Sequence, residues 1–483
     1  MTSKGKLVSA VLIILFLFTA CSTEMEASDS SLIVTGDVDY EYILQYSEES
    51  ELDWQTLEKD DNEYRSIKLN EIFNLYGYKE SDFSVLIVAG DGMKVKIDTS
   101  YGKVNVYDNK GWNIYAPDFP PTVNLKDIVE IVLIKNDYDL SESVNIISAK
   151  ENLASFTPGN MHLMNLQLYN FFDGESVKND EFSMKAYKEK YLLPVEEAAG
   201  EEFRSSIVMS RSGEYYFTAD KGYLQLQGNI INYTEPENRK TIFDIVGVVI
   251  NPPAGSVMDS YYDTKHYLDK DEDVLHIFID GFSSSQYEYA KENGYIPYIA
   301  GLGHMETALT IFKPVTNSGY AAMITGQPPA VNGILNRDYR EVKVDTIFDY
   351  VSALGKTSAI IEGNANIITT HGNPILNTDV NGNGFTDDEV FESALENIYG
   401  SDYAFVHFHG VDDSGHDNGD ISEETMDKIS EVDGYVKKLV ENWSGKVIIT
   451  ADHGMHSTDD GGCHGEFRYE DMVIPYILAE GGF

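Results

Sequence analysis

The spacing of apolar positions changes character about half-way along the chain. Up to residue 265 the apolar residues come in short runs. Ser84–Ala89 is continuously apolar after its serine, while Met93–Ile97 and Lys103–Tyr107 alternate, with Gly-Asp or Asp-Asn pairs between them. Runs of this length bounded by turn residues predict strands. Residues 36–265 therefore predict a β-rich α+β region with few helices. Three segments recur in order: Ser84–Gly92, Gly111–Tyr115 and Leu125–Leu133 return as Ser206–Gly213, Gly228–Tyr233 and Ile242–Ile250. Such recurrence predicts two related units. Beyond Asn251-Pro-Pro-Ala-Gly255 and the charged stretch Asp269–Asp273, apolar strands alternate with helix-length segments. That order predicts an α/β domain over 271–483, a mostly parallel sheet sandwiched by helices.

The N-terminus follows a third pattern. Lys4 and Lys6 precede the apolar run Leu7–Phe18, and Thr19-Ala20-Cys21 leads into an acidic stretch. A basic start, a short apolar stretch and small residues before a break predict a secretory signal. The run, roughly a dozen residues, is short for a membrane-spanning helix. Residues 1–21 are thus expected to be removed or anchored, 22–35 to act as a tether, and the rest to face the outside of the cytoplasmic membrane.

Charge narrows the partners. The chain holds 35 Lys+Arg against 80 Asp+Glu, a net charge of −45. It has no general basic face for nucleic acid or anionic lipid. If the substrate is an anion, something other than Lys and Arg must attract it. Two cysteines, Cys21 and Cys463, exclude a disulfide scaffold. Nine of the 11 histidines lie from His276 onward, which directs attention to the C-terminal half.

There, several strand-like runs end in residues able to bind metal. Val274–Ile279 runs into Asp280-Gly281, Tyr403–His409 into Asp412-Asp413-Ser414-Gly415-His416, and Lys446–Thr450 into Asp452-His453-Gly454; His464-Gly465 precedes the last apolar run. The carboxyl ends of parallel strands open onto one edge, so these residues are expected to converge there. Three carboxylates packed together repel unless cations lie between them. Imidazoles from His416, His453 and His464 would complete an N/O donor set suited to zinc. Pro314 and Gly326 bracket a short helix beginning near Thr316, whose hydroxyl would sit at the positive end of the helix dipole.

In that order these residues resemble the alkaline phosphatase superfamily, and within it the type I phosphodiesterase / nucleotide pyrophosphatase branch. The resemblance implies two zinc ions, one held by Asp280, Thr316, Asp452 and His453, the other by Asp412, His416 and His464. It also implies that Thr316 is the nucleophile, forming a phosphothreonine intermediate, and that the substrate is a small anionic phosphate ester. One position departs from that branch. Nucleotide pyrophosphatases carry Asn three residues past the nucleophile, and here that residue is Gly319. Asn317 follows Thr316 directly, as in phosphonoacetate hydrolases, and is expected to act with Thr316 in catalysis. Hydrolysis of a phosphonate or sulfate ester, or a surface binding protein with a retired enzyme domain, remain as alternatives. Cys21 after small residues resembles a bacterial lipoprotein signal, which implies a lipid anchor at that residue on the outer face of the cytoplasmic membrane. Each N-terminal unit resembles the small α+β module of sulfite-oxidase-type molybdopterin domains. It has no Cys to hold molybdenum, so an accessory or spacer role is expected.

A second metal candidate lies at Asp379, Asn381, Asn383, Asp387 and Asp388, which resembles an EF-hand calcium loop with Val390 where the usual Glu would stand. Arg337 and Arg340 are expected in loop salt bridges, with help in binding phosphate as the alternative, and His456 and Cys463 in structural places.

Overall fold

The central strands of the N-terminal half have both faces covered, which explains their unbroken apolar runs. In the computed structural model, which describes residues 31–44, 52–178 and 182–482, Phe83–Ala89 is buried along its whole length. Val85 and Ile87 join one apolar cluster, while Leu86 and Val88 join a second with Val132 and Ile134. The strand sits in a five-stranded sheet ordered Tyr42–Leu44, Leu32–Gly36, Ile128–Lys135, Phe83–Ala89, Lys94–Ile97. A second sheet repeats the design in the order Asn152–Phe156, Val144–Ile147, Ile245–Ile250, Ser206–Ser210, Tyr215–Thr218.

The pairing senses also match. In each sheet one neighbour of the central strand runs parallel to it and the other antiparallel. Each unit also carries an antiparallel sheet inserted at equivalent points, of four strands in the first and five in the second. The recurring sequence segments occupy equivalent strands in the two units. The second unit packs on the C-terminal half: Ile147, Ile207, Met209, Val246 and Val249 meet Leu309, Phe467, Met472 and Val473.

Two expected boundaries shift. Leu32–Gly36 pairs with Ile128–Lys135, and Leu32 and Val34 are buried. The stretch 22–35 is therefore not all tether, because the apolar run Leu32-Ile33-Val34 in its last part enters a sheet. The C-terminal half begins before residue 265: Val257 and Leu268 belong to its core, and Gly255–Ser256 is its first strand. The signal expected at 1–21, with Cys21, lies outside the described residues.

Eight strands form the C-terminal sheet. They are β1 (Gly255–Ser256), β2 (Val274–Ile279), β3 (Met305–Leu309), β4 (Ser358–Glu362), β5 (Ile375–Leu376), β6 (Tyr403–Phe408), β7 (Lys446–Thr450) and β8 (Val473–Glu480). Their order is β1-β3-β8-β7-β2-β6-β4-β5. Only β8 runs against its neighbours β7 and β3; the other adjacent pairs are parallel. Every residue of β2 and β6 is buried. The fold is thus α/β, with a β-rich N-terminal half.

This topology positions the site. β2, β3, β6 and β7 all end at one edge of the sheet, and antiparallel β8 starts there. Asp280 follows β2, Thr310–Val315 follows β3, His409 follows β6, Asp452 follows β7, and His464 lies shortly before β8. Three helices begin with residues that shape this edge: α1 (Thr316–Thr325), α2 (Asp387–Asn397) and α3 (Gly410–Asn418).

Candidate active site

The carboxylates and imidazoles that lie far apart in the chain meet at this edge. His453 Nε2 is 3.4 Å from Asp280 Oδ1 and 3.2 Å from Asp452 Oδ2. His416 Nε2 is 3.4 Å from Asp412 Oδ2, and His464 Nε2 is 3.6 Å from Asp412 Oδ1. Asp412 and His416 are four residues apart on α3, which puts them on one helix face. One ligand atom each from Asp280, Asp412 and His453 lie within 4.8 Å of one another, as do those of Asp412, His416 and His464. Gly281 makes the approach of β2 to α3 feasible. Its φ of 68° is left-handed, and a Cβ there would lie 2.8 Å from Asp412 Oδ1.

Backbone carbonyls aim the imidazoles. Nδ1 of His416 donates to Gly462 O (3.0 Å), that of His453 to Gly454 O (2.9 Å) and that of His464 to Pro314 O (2.8 Å). Each ring then turns an unprotonated Nε2 inward, the arrangement that orients metal-binding histidines. Burial pushes His453 down to about 4 and His464 down to about 2, so both rings are neutral at pH 7. Burial, and then the charge of Asp280, push the carboxyls of Asp412 and Asp452 upward. Asp280 Oδ1, Asp412 Oδ1, Asp452 Oδ2 and His453 Nε2 are buried without a hydrogen-bond partner. A buried acceptor left unpaired is costly, and four such atoms facing one space fit the donor set of divalent cations.

Two further histidines hold Asp280, and neither stands out in the sequence as a site residue. His407 Nε2 lies 3.2 Å and His409 Nδ1 2.9 Å from Asp280 Oδ2. Burial works against the charge on Asp280, but these two hydrogen bonds outweigh it and keep the carboxyl well below its ordinary value. Burial likewise opposes charge on His409, yet the hydrogen bond and charge of Asp280 raise it to about 9. Burial leaves His407 neutral, down to about 3, and its ring stacks on Phe278 at 3.8 Å. The spacing of His407, in β6, and His409, just past its end, is the available signal, since positions i and i+2 of an extended chain share a face.

Thr316 is the first residue of α1, and all ten residues of that helix are buried. The helix start presses on Asp452. A Cβ on Gly319 would come within 2.4 Å of Asp452 O and 2.7 Å of its Cβ. Only glycine fits, which accounts for the missing Asn at this position. The amide nitrogen of Asn317 donates to Tyr339 O (3.0 Å) and lies 3.5 Å from Ile367 O, contacts that hold neighbouring loops at the start of α1.

Arg340 donates to Asn366 O and Ile367 O, both at 3.1 Å. Neither it nor Arg337 forms the expected salt bridge among the described residues; Arg337 Nη2 instead lies 2.6 Å from His464 Nε2. Beside it opens a cleft of about 330 Å³ lined by Lys313, Asn336, Asp338, His416 and Cys463. His456 is structural: it bonds Asp471 at 2.7 Å.

In the loop at Asp379, Asn381 and Asn383 both donate to Asp388, and Asp379 accepts from Gly382 and Gly384. Asp387 is turned away from that group. Its buried carboxylate caps α3, accepting from the N–H of His409 (2.9 Å) and of Gly410 (3.0 Å). The free amides at the helix start are a stronger attraction for it than an exposed loop.

Residues 373–473 match the model of the family described as type I phosphodiesterase / nucleotide pyrophosphatase. The matched segment contains Asp412, His416, Asp452, His453 and His464; Asp280 and Thr316 precede it. Among solved structures, the chain is similar to phosphonoacetate hydrolase from Sinorhizobium meliloti 1021 in complex with phosphonoformate, at 17% identity and TM-score 0.32 over 38% of this chain and 57% of that one. It is also similar to murine ectonucleotide pyrophosphatase / phosphodiesterase 5, an inactive form in complex with AMP, at 19% identity and TM-score 0.33 over 39% of this chain and 58% of that one. The human counterpart gives 18% identity and TM-score 0.32 over 39% and 58%. The chain thus spans less than two thirds of the length of these relatives. No curated protein matches it.

Proposed function

We propose that this chain is a zinc-dependent hydrolase of phosphate esters that acts outside the cytoplasmic membrane, with Thr316 as its nucleophile. The observation that carries this reading is the set of unpartnered buried ligand atoms on Asp280, Asp412, Asp452 and His453, gathered where α1 begins. Asp280, Thr316, Asp452 and His453 would hold one divalent ion, and Asp412, His416 and His464 the other. Bound there, such ions lower the pKa of a hydroxyl or a water and neutralise anionic oxygens. Two divalent cations outweigh the three carboxylates by one charge, so the seat attracts an anion despite the chain's −45.

The protein's own groups then act in sequence. The first N–H groups of α1 favour negative charge on Thr316 Oγ1. That oxygen attacks phosphorus, the bond from phosphorus to the leaving oxygen breaks, and its electron pair departs with the alcohol, which takes a proton. Water then attacks the phosphothreonine, releasing phosphate and restoring the Thr316 hydroxyl. His409 and His407 fix Asp280 throughout, and Asp387 fixes the start of α3, which carries Asp412 and His416.

Thr316→Ala tests this reading. It is expected to abolish turnover of nitrophenyl phosphate esters while leaving folding and zinc content nearly intact; unchanged turnover would refute the assignment. A lipid anchor at Cys21 is part of the same proposal, and radiolabelled palmitate incorporation that survives Cys21→Ala would refute it. The loop around Asp379, Asn381, Asn383 and Asp388 is proposed to take calcium.

A further inference from the structure

Two cations stand at the mouth of the site with no ion-pair partner among the described residues. In a chain with 80 acidic and 35 basic residues, most exposed Lys and Arg could find a partner. Lys313 and Arg337 both line the cleft beside His416 and His464. Among the described residues neither has a carboxylate oxygen within the 4.0 Å of an ion pair, although Asp338 lies on the same lip. The Lys313 stem lies over Gly465, where a Cβ would meet its Cε at 3.1 Å. This keeps its ammonium near His464.

Arg337 adds a second observation. Its guanidinium donates to His464 Nε2 at 2.6 Å. That nitrogen is the lone pair left over once Nδ1 has bonded Pro314 O. It cannot serve Arg337 and a metal ion together. Once a metal takes Nε2, the guanidinium is released over the place where a phosphoryl group would arrive, with no other hydrogen-bond partner among the described residues.

We propose that Lys313 and Arg337 make this site selective for a terminal phosphoryl group carrying two negative charges, over a singly charged phosphodiester. This rests on the phosphate-ester reading above. A terminal phosphoryl group offers three bare oxygens and two charges, which two unpaired cations beside a positive metal seat can match. A diester offers one charge, and its second substituent must occupy the small cleft that these two side chains line. Arg presents a planar fork that can engage two phosphate oxygens together.

The test compares nitrophenyl phosphate with methyl nitrophenyl phosphate, which share a leaving group. The full zinc-loaded chain is assayed beside Lys313→Met, Arg337→Met and Arg337→Lys, with zinc content measured for each. The wild type is expected to favour the monoester. Each Met substitution should lower monoester kcat/KM about tenfold or more, mainly through KM. Diester kcat/KM should change less than about threefold, zinc content should hold, and Arg337→Lys should recover part of the loss. Equal loss on both esters, a wild-type preference for the diester, or loss of zinc in Arg337→Met would overturn the inference. Calorimetric titration with inorganic phosphate and with dimethyl phosphate reads the same selectivity without turnover. If the wild type cleaves neither ester, the hydrolase reading fails by itself. The titration still decides this inference, because phosphate binding that is unchanged in Arg337→Met would overturn it.

Discussion

Gly319→Ala asks how firmly the nucleophile's helix is seated on Asp452. In an open helix this exchange gains roughly 1 kcal/mol, because Ala is the better helix former. At 319 the added Cβ would lie 2.4 Å from Asp452 O and 2.7 Å from Asp452 Cβ. Heavy atoms normally touch at about 3.5–4.0 Å, so the intrusion is about 1 Å. The obstacle cannot rotate away. It is main chain directly after β7, and Asp452 O accepts a hydrogen bond from the Thr310 hydroxyl. The start of α1 must therefore move, carrying Thr316 with it. Overpacking of this kind costs about 1–3 kcal/mol, and the helix gain offsets about 1 kcal/mol of that, leaving a net loss of up to about 2 kcal/mol. A displacement of this size at a reacting group costs about a hundredfold in rate. Urea unfolding of the zinc-depleted chain and turnover of the zinc-loaded chain measure the two effects. The midpoint should fall and kcat should drop about a hundredfold. An Ala variant as stable and as active as the wild type would refute the close seating of α1.

Other outcomes rest on the same geometry. His409→Ala frees Asp280 Oδ2 from its shortest hydrogen bond and should weaken zinc binding about 10- to 100-fold in a chelator competition, whereas unchanged affinity would deny His409 its positioning role. Burial holds the Glu362 carboxyl up to about 7, against 4.5 ordinarily, despite the hydrogen bond from Tyr320. Between those values the folded state keeps a proton that the unfolded state has released, so stability falls as pH rises from 4.5 to 7 and stays low above it. Glu362→Gln should remove that loss, gaining up to about 3 kcal/mol on the wild type between pH 4.5 and 8, and a pH-independent difference in unfolding free energy would contradict it. Calorimetric titration of the full chain should show calcium binding that Asp379→Ala and Asp388→Ala each abolish but Asp387→Ala does not. Absence of binding at millimolar calcium would remove that proposal.

The site residues that were legible in the sequence share one property. Asp280, Asp412, Asp452 and His453 are polar residues where an apolar run stops, so topology alone brings them to one edge. His407 and His409 were hidden because the first lies inside an apolar strand and the second at its end, where an imidazole reads as core. Asp387 matched the calcium motif by spacing, but the unpaired N–H groups of His409 and Gly410 captured it, and sequence spacing carries no information about such competition. Asn317 was placed by resemblance, and its hydrogen-bond partners, Tyr339 and Ile367, come from loops 22 and 50 residues away. Arg337 was expected in a salt bridge on general grounds in an acidic chain. Only the fold shows that the nearest acceptor is His464. The expected tether failed at its end for a simpler reason: Leu32-Ile33-Val34 is a short apolar run like those of the other strands.

Anomalous diffraction at the zinc edge from crystals of the natively purified chain tests the central claim most directly. Two peaks about 4 Å apart are predicted, one among Asp280, Thr316, Asp452 and His453, the other among Asp412, His416 and His464. A chain that hydrolyses phosphate esters with no peak at these side chains would contradict it.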